Sequence, residues 1–129
     1  RRDDFTDKAE RTLRRFQPYL KETPNGFAQM ICAADHALTG GVEVTVVGTD
    51  GRDALVEQAH RVWTPCRVLA VGRDDNVPVT REYEETGNLA TAYVCRNQTC
   101  SAPMTDPDDL RKILAVVGFE SQARISHQD

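Results

Sequence analysis

The sequence of 129 residues has no apolar run as long as the ~18 residues that a membrane-spanning helix needs. It also has no excess of basic residues, because its net charge is −4. A nucleic-acid binder would carry a basic surface. Arg11, Arg14 and Arg15 do cluster, but acidic residues lie beside them in the sequence, so we interpret them as a solvated helix face. We therefore expect neither a membrane nor a nucleic-acid partner.

No secretory signal is present, because no apolar stretch follows the opening residues Arg1-Arg2-Asp3-Asp4. We therefore expect a cytoplasmic protein. The sequence has no initiator methionine and a helical pattern begins within its first residues, so we expect a piece of a longer protein, cut near a domain edge. A chain of this length can bury roughly two-thirds of the surface that it exposes when unfolded, so no disulfide or metal is needed to hold a core.

Apolar residues at intervals of three and four predict two helices at the start of the chain. In the first helix they are Phe5, Ala9, Leu13, Phe16 and Leu20, and in the second Phe27, Met30, Ile31, Ala34 and Leu38. Pro18 is expected to kink or end the first helix, and Gly40-Gly41 to stop the second. The turn at 22–26 is short, so the pattern predicts an antiparallel helical hairpin over residues 1–40.

From residue 41 the pattern changes to short β-branched runs. Residues 42–48 and 67–72 predict strands, with a helix ending near Trp63 between them. This is a βαβ unit, which implies parallel pairing. Residues 73–88 are polar and predict a surface loop, and residues 90–95 predict a third strand.

The last predicted helix begins with a capping box formed by Thr105 and Asp108, and Gly118 is expected to end it. The predicted fold class is therefore α/β: a small, mainly parallel three-stranded sheet covered by helices and preceded by an α-hairpin. We expect the α/β domain to span residues 41–118 and residues 119–129 to form a frayed tail.

Cys95 and Cys100 are the most informative pair of side chains. They follow a predicted strand and precede a predicted helix, whose positive N-terminal end would favour a thiolate. The turn between them could bring the sulfurs within bonding distance, but the spacing is not the Cys-x-x-Cys of a thioredoxin-like site. Four alternatives stay open: reduced structural cysteines, a disulfide, a redox-active pair, or half of a metal site. Cys32 is expected in the core.

The turn Gly48-Thr49-Asp50-Gly51 follows a strand and opens a helix, which is where α/β folds bind anions. It lacks the third glycine and the Lys-Ser/Thr pair of nucleotide-binding loops. A plain tight turn and an anion or small-ligand site at Gly48, Thr49 and Gly51 both stay open. The three histidines, His36, His60 and His127, are far apart in the sequence. We predict no catalytic residue, no metal site and no cofactor.

The stretch from Ala92 to Pro107 contains the element Cys-x4-Cys-x-x-Pro. It resembles the C-terminal signature of the YyaL-like family, which includes spermatogenesis-associated protein 20. Weaker similarity is found at Phe27-Ala28-Gln29-Met30 with Ala34-Asp35, at residues 43–48, and at the strand around Val68. The resemblance thus extends over roughly residues 5–117.

This resemblance implies a thioredoxin-domain-containing protein with three parts. They are an N-terminal thioredoxin-like domain, an (α/α)6 toroid like those of N-acylglucosamine 2-epimerases and six-hairpin glycosidases, and a C-terminal α/β segment. This chain resembles the last part, with residues 1–40 ending the toroid. No catalytic residue of the family can be carried over to this chain.

Three hypotheses about function follow. The first is an accessory domain that packs against the absent toroid through apolar faces of its first two helices, faces that could also drive self-association. The second is a thiol redox module that uses Cys95 and Cys100. The third is a small-ligand or anion-binding α/β domain with its site at Gly48–Gly51.

Overall fold

A computed structural model describes residues 3–72 and 78–123. The chain divides into two compact units, residues 1–40 and residues 41–129. In the first, helix α1 spans Asp3–Glu22 and helix α2 spans Ala28–Thr39, with a 3₁₀ turn at Pro24–Phe27 between them. None of the helices in these ranges combines the length and the apolar character that a membrane crossing requires.

Pro18 lies inside α1 and does not end it, which excludes one of the two predicted outcomes. Proline removes one backbone hydrogen bond from a helix. Here the helix has only four further residues, and the N–H of Thr23 still donates to the carbonyl of Tyr19 at 3.0 Å. The last turn is thus closed beyond the proline.

The hairpin is held by an aromatic cluster of Phe16, Tyr19 and Phe27, whose ring centroids lie 6.0 to 6.3 Å apart. None of its described side chains, residues 4–40, is buried. Leu38 is 85% exposed and Phe5 54% exposed. Cys32 is exposed too, so its predicted place in a core is wrong. The contacts among the apolar residues of this unit therefore leave much of their surface exposed.

The second unit contains a four-stranded sheet with the order β2-β1-β3-β4. The strands are β1 Val42–Val47, β2 Arg67–Val71, β3 Thr91–Arg96 and β4 Thr99–Cys100, and the helices are α3 Arg52–Arg61 and α4 Pro107–Ala123. Strand β1 pairs in parallel with β2, as predicted, but β3 pairs antiparallel with both β1 and β4. The α/β class is confirmed, whereas the sheet is mixed and has one strand more than predicted.

One face of this sheet holds the hydrophobic core. Val42, Val44 and Val46 of β1 are at most 1% exposed, and they alternate along the strand so that they share a face. They form one cluster with Leu55 of α3 and Leu110 of α4. The opposite face of β1 and β3 carries Glu43, Thr45, Tyr93 and Cys95, among others, and the segment that begins with the 3₁₀ turn Pro78–Glu82 passes near it.

Helix α4 begins and ends differently from the prediction. Asp106 is its cap, because its Oδ1 accepts the N–H of Asp108 at 2.8 Å. The helix runs past Gly118 to Ala123. Gly118 is buried, and a Cβ there would lie 3.0 Å from the carbonyl oxygen of Trp63. This glycine therefore permits a close helix contact and does not stop the helix. Of the predicted tail, residues 124–129 lie outside the described residues.

Candidate functional site

Strands β3 and β4 form a tight hairpin that places Cys95 and Cys100 directly opposite each other. Asn97 and Gln98 make the turn, with φ of 50° and 66°. Two successive residues in this region are characteristic of the two-residue hairpin turn. The two sulfurs are bonded and the Cα atoms lie 4.0 Å apart. Of the alternatives left open by the sequence, the structure contains the disulfide.

After Cys100 the chain continues along β3 with a bulge. The N–H of Ser101 donates to the carbonyl of Val94 at 2.8 Å, and the Ser101 hydroxyl accepts the N–H of Val94 at 3.2 Å. Ala92 and Met104 then exchange backbone bonds of 2.7 and 3.0 Å. Cys95 pairs with Cys100, so an uninterrupted antiparallel ladder would pair Ala92 with Pro103. Ala92 pairs with Met104 instead, so the segment after Cys100 contains one extra residue, which is a β-bulge. Pro103 is tolerated at this bulge because no backbone N–H is needed there for a hydrogen bond to the neighbouring strand.

Tyr83 lies over the disulfide. Its hydroxyl oxygen is 3.0 Å from Sγ of Cys95 and 3.4 Å from Sγ of Cys100. Sulfurs in a disulfide carry no hydrogen, so the hydroxyl is the donor. The ring packs on Tyr93 with 4.4 Å between centroids, and the Tyr93 hydroxyl donates to the carbonyl of Glu84 at 2.7 Å. The two stacked rings thus have different hydroxyl partners.

The surroundings of Tyr83 are negatively charged. Its pKa is raised above the ordinary value by burial first, and then by the carboxylates of Glu43 and Glu82. Glu43 is the residue of β1 directly opposite Cys95. The Tyr83 hydroxyl therefore keeps its proton, and remains a donor, over a wider pH range than a free tyrosine.

The two cysteine residues differ in their exposure to solvent. Cys95 is 5% exposed and lies within the sheet, whereas Cys100 lies on the edge strand β4 and is exposed. A reagent in solution thus meets Cys100 first. Cys66 is half-buried and lies in the segment that leads into β2.

The predicted ligand turn lies at the other end of β1. Gly48 has φ of +85°, and a Cβ there would lie 2.8 Å from a carboxylate oxygen of Glu85. Gly51 precedes α3 with φ of 79°, and Thr49 accepts the N–H of Arg52 at 3.4 Å. A carboxylate beside Gly48 repels an anion. The structure does not bring this turn together with the disulfide.

The histidines do not form a site in the part of the chain that is described. His36 and His60 are exposed on separate helices, and His127 lies outside the described residues. Among the residues described, no three or more His, Cys, Asp or Glu side chains are grouped so as to hold a metal ion.

The sequence did not reveal the roles of Tyr83, Glu43 and Glu85. Tyr83 and Glu85 fall in the stretch interpreted as a surface loop, of which residues 73–77 lie outside the described part. The sequence did offer one sign of the role of Tyr83, since it is an aromatic residue within a charged stretch. A large ring among Arg81, Glu82 and Glu84 needs an apolar surface to pack on.

The disulfide and its surrounding residues belong to a segment that is similar to known proteins. Human spermatogenesis-associated protein 20 is 31% identical over 121 residues, covering 86% of this chain and 15% of the human protein. The rat and mouse proteins of the same name are 27% and 26% identical over the same length. The chain is a relative of the spermatogenesis-associated protein 20 family.

The recognised resemblance is thus confirmed. The chain spans about 15% of the length of these spermatogenesis-associated protein 20 relatives. No established family profile matches the chain, and no solved structure matches it either.

Proposed function

We propose that this chain acts as an accessory domain of a longer protein, at its C-terminal end, and that α1 and α2 pack against further helices of that protein. The observation that carries the proposal is the absence of any buried side chain among the described residues 4–40. A helical pair with a regular apolar pattern is normally stabilised by burying it.

The size of the exposed apolar surface supports this proposal. Leu38, Phe5, Tyr19 and Ile31 are 85%, 54%, 54% and 38% exposed. Fully burying one such side chain contributes about 1.5–3 kcal/mol. Apolar surface of this kind is typical of an interface. The relatives are several times longer than this chain, so they have further segments that could cover it.

The partner surface that fits best is itself helical, since an exposed α-hairpin with apolar residues at helical spacing packs most readily against other helices. The resemblance to the YyaL-like family implies such a surface in the form of an (α/α)6 toroid. A second copy of this chain is the competing occupant, and the test distinguishes the two.

The test compares the isolated chain with the longer protein read from the same gene. Leu38→Ser should change the melting temperature of the isolated chain little, and should lower that of the longer protein by several degrees, since a buried leucine costs about 2–5 kcal/mol to truncate. Ala33→Ser, on the other side of α2, is the matched control. Equal effects of Leu38→Ser in both proteins would refute the proposal, and a monomer–dimer equilibrium of the isolated chain that Leu38→Ser abolishes would favour self-association.

The disulfide favours a second candidate function, a thiol–disulfide exchange unit at Cys95 and Cys100. An exposed Cys100, which gives a thiolate access, and a hydroxyl that can stabilise a leaving sulfur are features that favour exchange. If the protein works in the cytoplasm, as its sequence predicts, a disulfide there is usually catalytic or redox-sensing.

A titration with dithiothreitol buffers tests this candidate. We expect the folded protein to gain two thiols reversibly, and the exposed Cys32, which is not in a disulfide, serves as the internal reference. A bond that opens only when the second unit unfolds would contradict an exchange function.

A further inference from the structure

We propose that exchange at this disulfide is selective for one sulfur: an incoming thiolate attacks Sγ of Cys100, and Sγ of Cys95 is the leaving sulfur. The Tyr83 hydroxyl stabilises the leaving sulfur by donating a hydrogen bond to it. This inference rests on the exchange function proposed above. It assigns the attacked sulfur, the leaving sulfur and a catalytic residue.

Access to the sulfurs selects the first step. Thiolate attack requires approach along the line of the S–S bond, so the attacked sulfur must face the solution. Cys100 lies on the short edge strand β4 and is exposed, while Cys95 is 5% exposed between β1 and β4. An incoming thiol therefore meets Cys100 before Cys95.

The position of Tyr83 selects the leaving sulfur. Its hydroxyl is closer to Sγ of Cys95, at 3.0 Å, than to Sγ of Cys100, at 3.4 Å. A hydrogen bond to a thiolate is stronger than one to a neutral sulfur, because charge-assisted bonds are about twice as strong as neutral ones. The donor therefore stabilises the state in which Cys95 carries the negative charge more than it stabilises the closed disulfide.

The charges around the site create the need for this donor. Glu43 is directly opposite Cys95, and a carboxylate there opposes a second negative charge on the sulfur. Glu43 and Glu82 also raise the pKa of Tyr83, after burial, so the hydroxyl is protonated and able to donate when the thiolate forms. A hydrogen bond from Tyr83 to Sγ of Cys95 acts against this repulsion.

The exchange balances with a dithiol as reductant. The first thiolate of the dithiol bonds to Sγ of Cys100, the bond between Cys95 and Cys100 breaks, and its electron pair goes to Sγ of Cys95. The second thiol loses its proton to water and attacks the reagent's own sulfur in the mixed disulfide, so that Cys100 leaves as a thiolate. The dithiol becomes a cyclic disulfide, and the protein gains two electrons and takes up two protons.

The experiment measures the rate of reduction of the full chain by dithiothreitol, with quenched alkylation and mass spectrometry following Cys95 and Cys100. Tyr83→Phe keeps the ring that packs on Tyr93 and removes only the donor. We expect it to slow reduction about tenfold, the factor that corresponds to losing one hydrogen bond to a charged group. Tyr93→Phe is the matched control, because its hydroxyl donates to Glu84 and not to sulfur. We expect it to change the rate less than twofold.

Two further measurements separate this role from a structural one. In wild type, a pulse of glutathione should trap the mixed disulfide on Cys100, a result that needs no variant. In the reduced protein, Tyr83→Phe should slow alkylation of Cys95 at neutral pH, because less of it is thiolate.

The outcomes are distinct. If Tyr83→Phe and Tyr93→Phe reduce at the same rate, or if glutathione is trapped on Cys95, the inference is overturned while the exchange function stands. If dithiothreitol does not open the bond in the folded chain, both are overturned.

Discussion

Glu43 on β1 and Cys95 on β3 are directly opposite each other in the antiparallel pair, so a carboxylate residue and one half of the disulfide are neighbours on one face of the sheet. Residues opposite each other on one face of a sheet have Cβ atoms about 5 Å apart. The carboxylate of Glu43 also raises the pKa of Tyr83, whose hydroxyl oxygen is 3.0 Å from Sγ of Cys95. Opening the bond with Cys95 as the leaving sulfur thus creates two negative charges side by side.

Replacing Glu43 with glutamine should accelerate reduction of the disulfide by dithiothreitol about two- to fivefold. The substitution removes the repulsion, which solvent already weakens because Glu43 is exposed. The same change at Glu57, on the outer surface of α3, is the control. A rate for Glu43→Gln that equals that of Glu57→Gln would show that the carboxylate has no influence on the leaving sulfur.

Tyr83 should make the second unit less stable at alkaline pH. Its pKa is raised in the folded chain, so the folded state holds the phenol proton more tightly than the unfolded state does. The contribution is complete below the ordinary value of 10.0 and is lost as the pH rises through the raised value. Between pH 8 and pH 11, the melting temperature should therefore fall more steeply with pH for wild type than for Tyr83→Phe. Parallel curves for the two proteins would contradict this prediction.

Asp106, and not Thr105, should carry the cap of α4. Asp106→Ala removes the acceptor for the N–H of Asp108 and should lower the free energy of unfolding by about 1 kcal/mol. Thr105→Ala should lower it by less than about 0.5 kcal/mol. Urea unfolding followed by fluorescence measures both, since Trp63 is the single tryptophan and lies in the second unit. The reverse order of effects would favour the capping box expected from sequence.

Gly48→Ala should destabilise the second unit more than Gly51→Ala does. Both glycines have positive φ, so alanine is strained at each, by about 1 kcal/mol. Only at Gly48 would the new Cβ also meet atoms, with Glu85 Oε2 at 2.8 Å and the Cα of Ala90 at 3.0 Å. We expect a loss of about 2 kcal/mol or more there. The same urea titration checks this, and equal losses would show that the contacts with Glu85 and with the Ala90 backbone are relieved by small local movements.

Much of the fold follows from periodicity in the sequence. The helical pattern ending before Gly40 and the β-branched run at Val42–Val47 each produced the element they predicted, and the βαβ unit gave the parallel pairing of β1 and β2. These elements bury a regular face, so their apolar residues recur at the period of the element.

The hairpin β3–β4 could not be read in the same way. Its turn residues, Asn97 and Gln98, adopt positive φ without the glycine that usually marks such a turn. Strand β4 has only two residues and is exposed, so it leaves no alternation in the sequence. The antiparallel direction of β3 depends on partners far apart in the chain, which no local pattern records.

The candidate site was predicted only in part for the same reason. Cys95 and Cys100 stand out by residue type, but Tyr83 reaches them from a polar stretch 12 residues earlier. Its role is visible only once the tertiary structure places it over the sulfurs. Gly118 shows the converse, since a residue that usually signals a helix end is required here by contact with Trp63.

Strand β2 forms an open border of the sheet, with no described strand on its outer side. Val68 and Val71 are 56% and 42% exposed there. Arg67 is the only charged residue of β2, and its guanidinium donates to the carbonyls of Ala59 and Val62. Its charge is therefore not positioned to prevent another strand from pairing with this edge. Apolar borders of this kind recruit strands from other molecules. For concentrated samples, Val68→Lys is therefore the first substitution to make, because the new ammonium would also lie opposite Glu43.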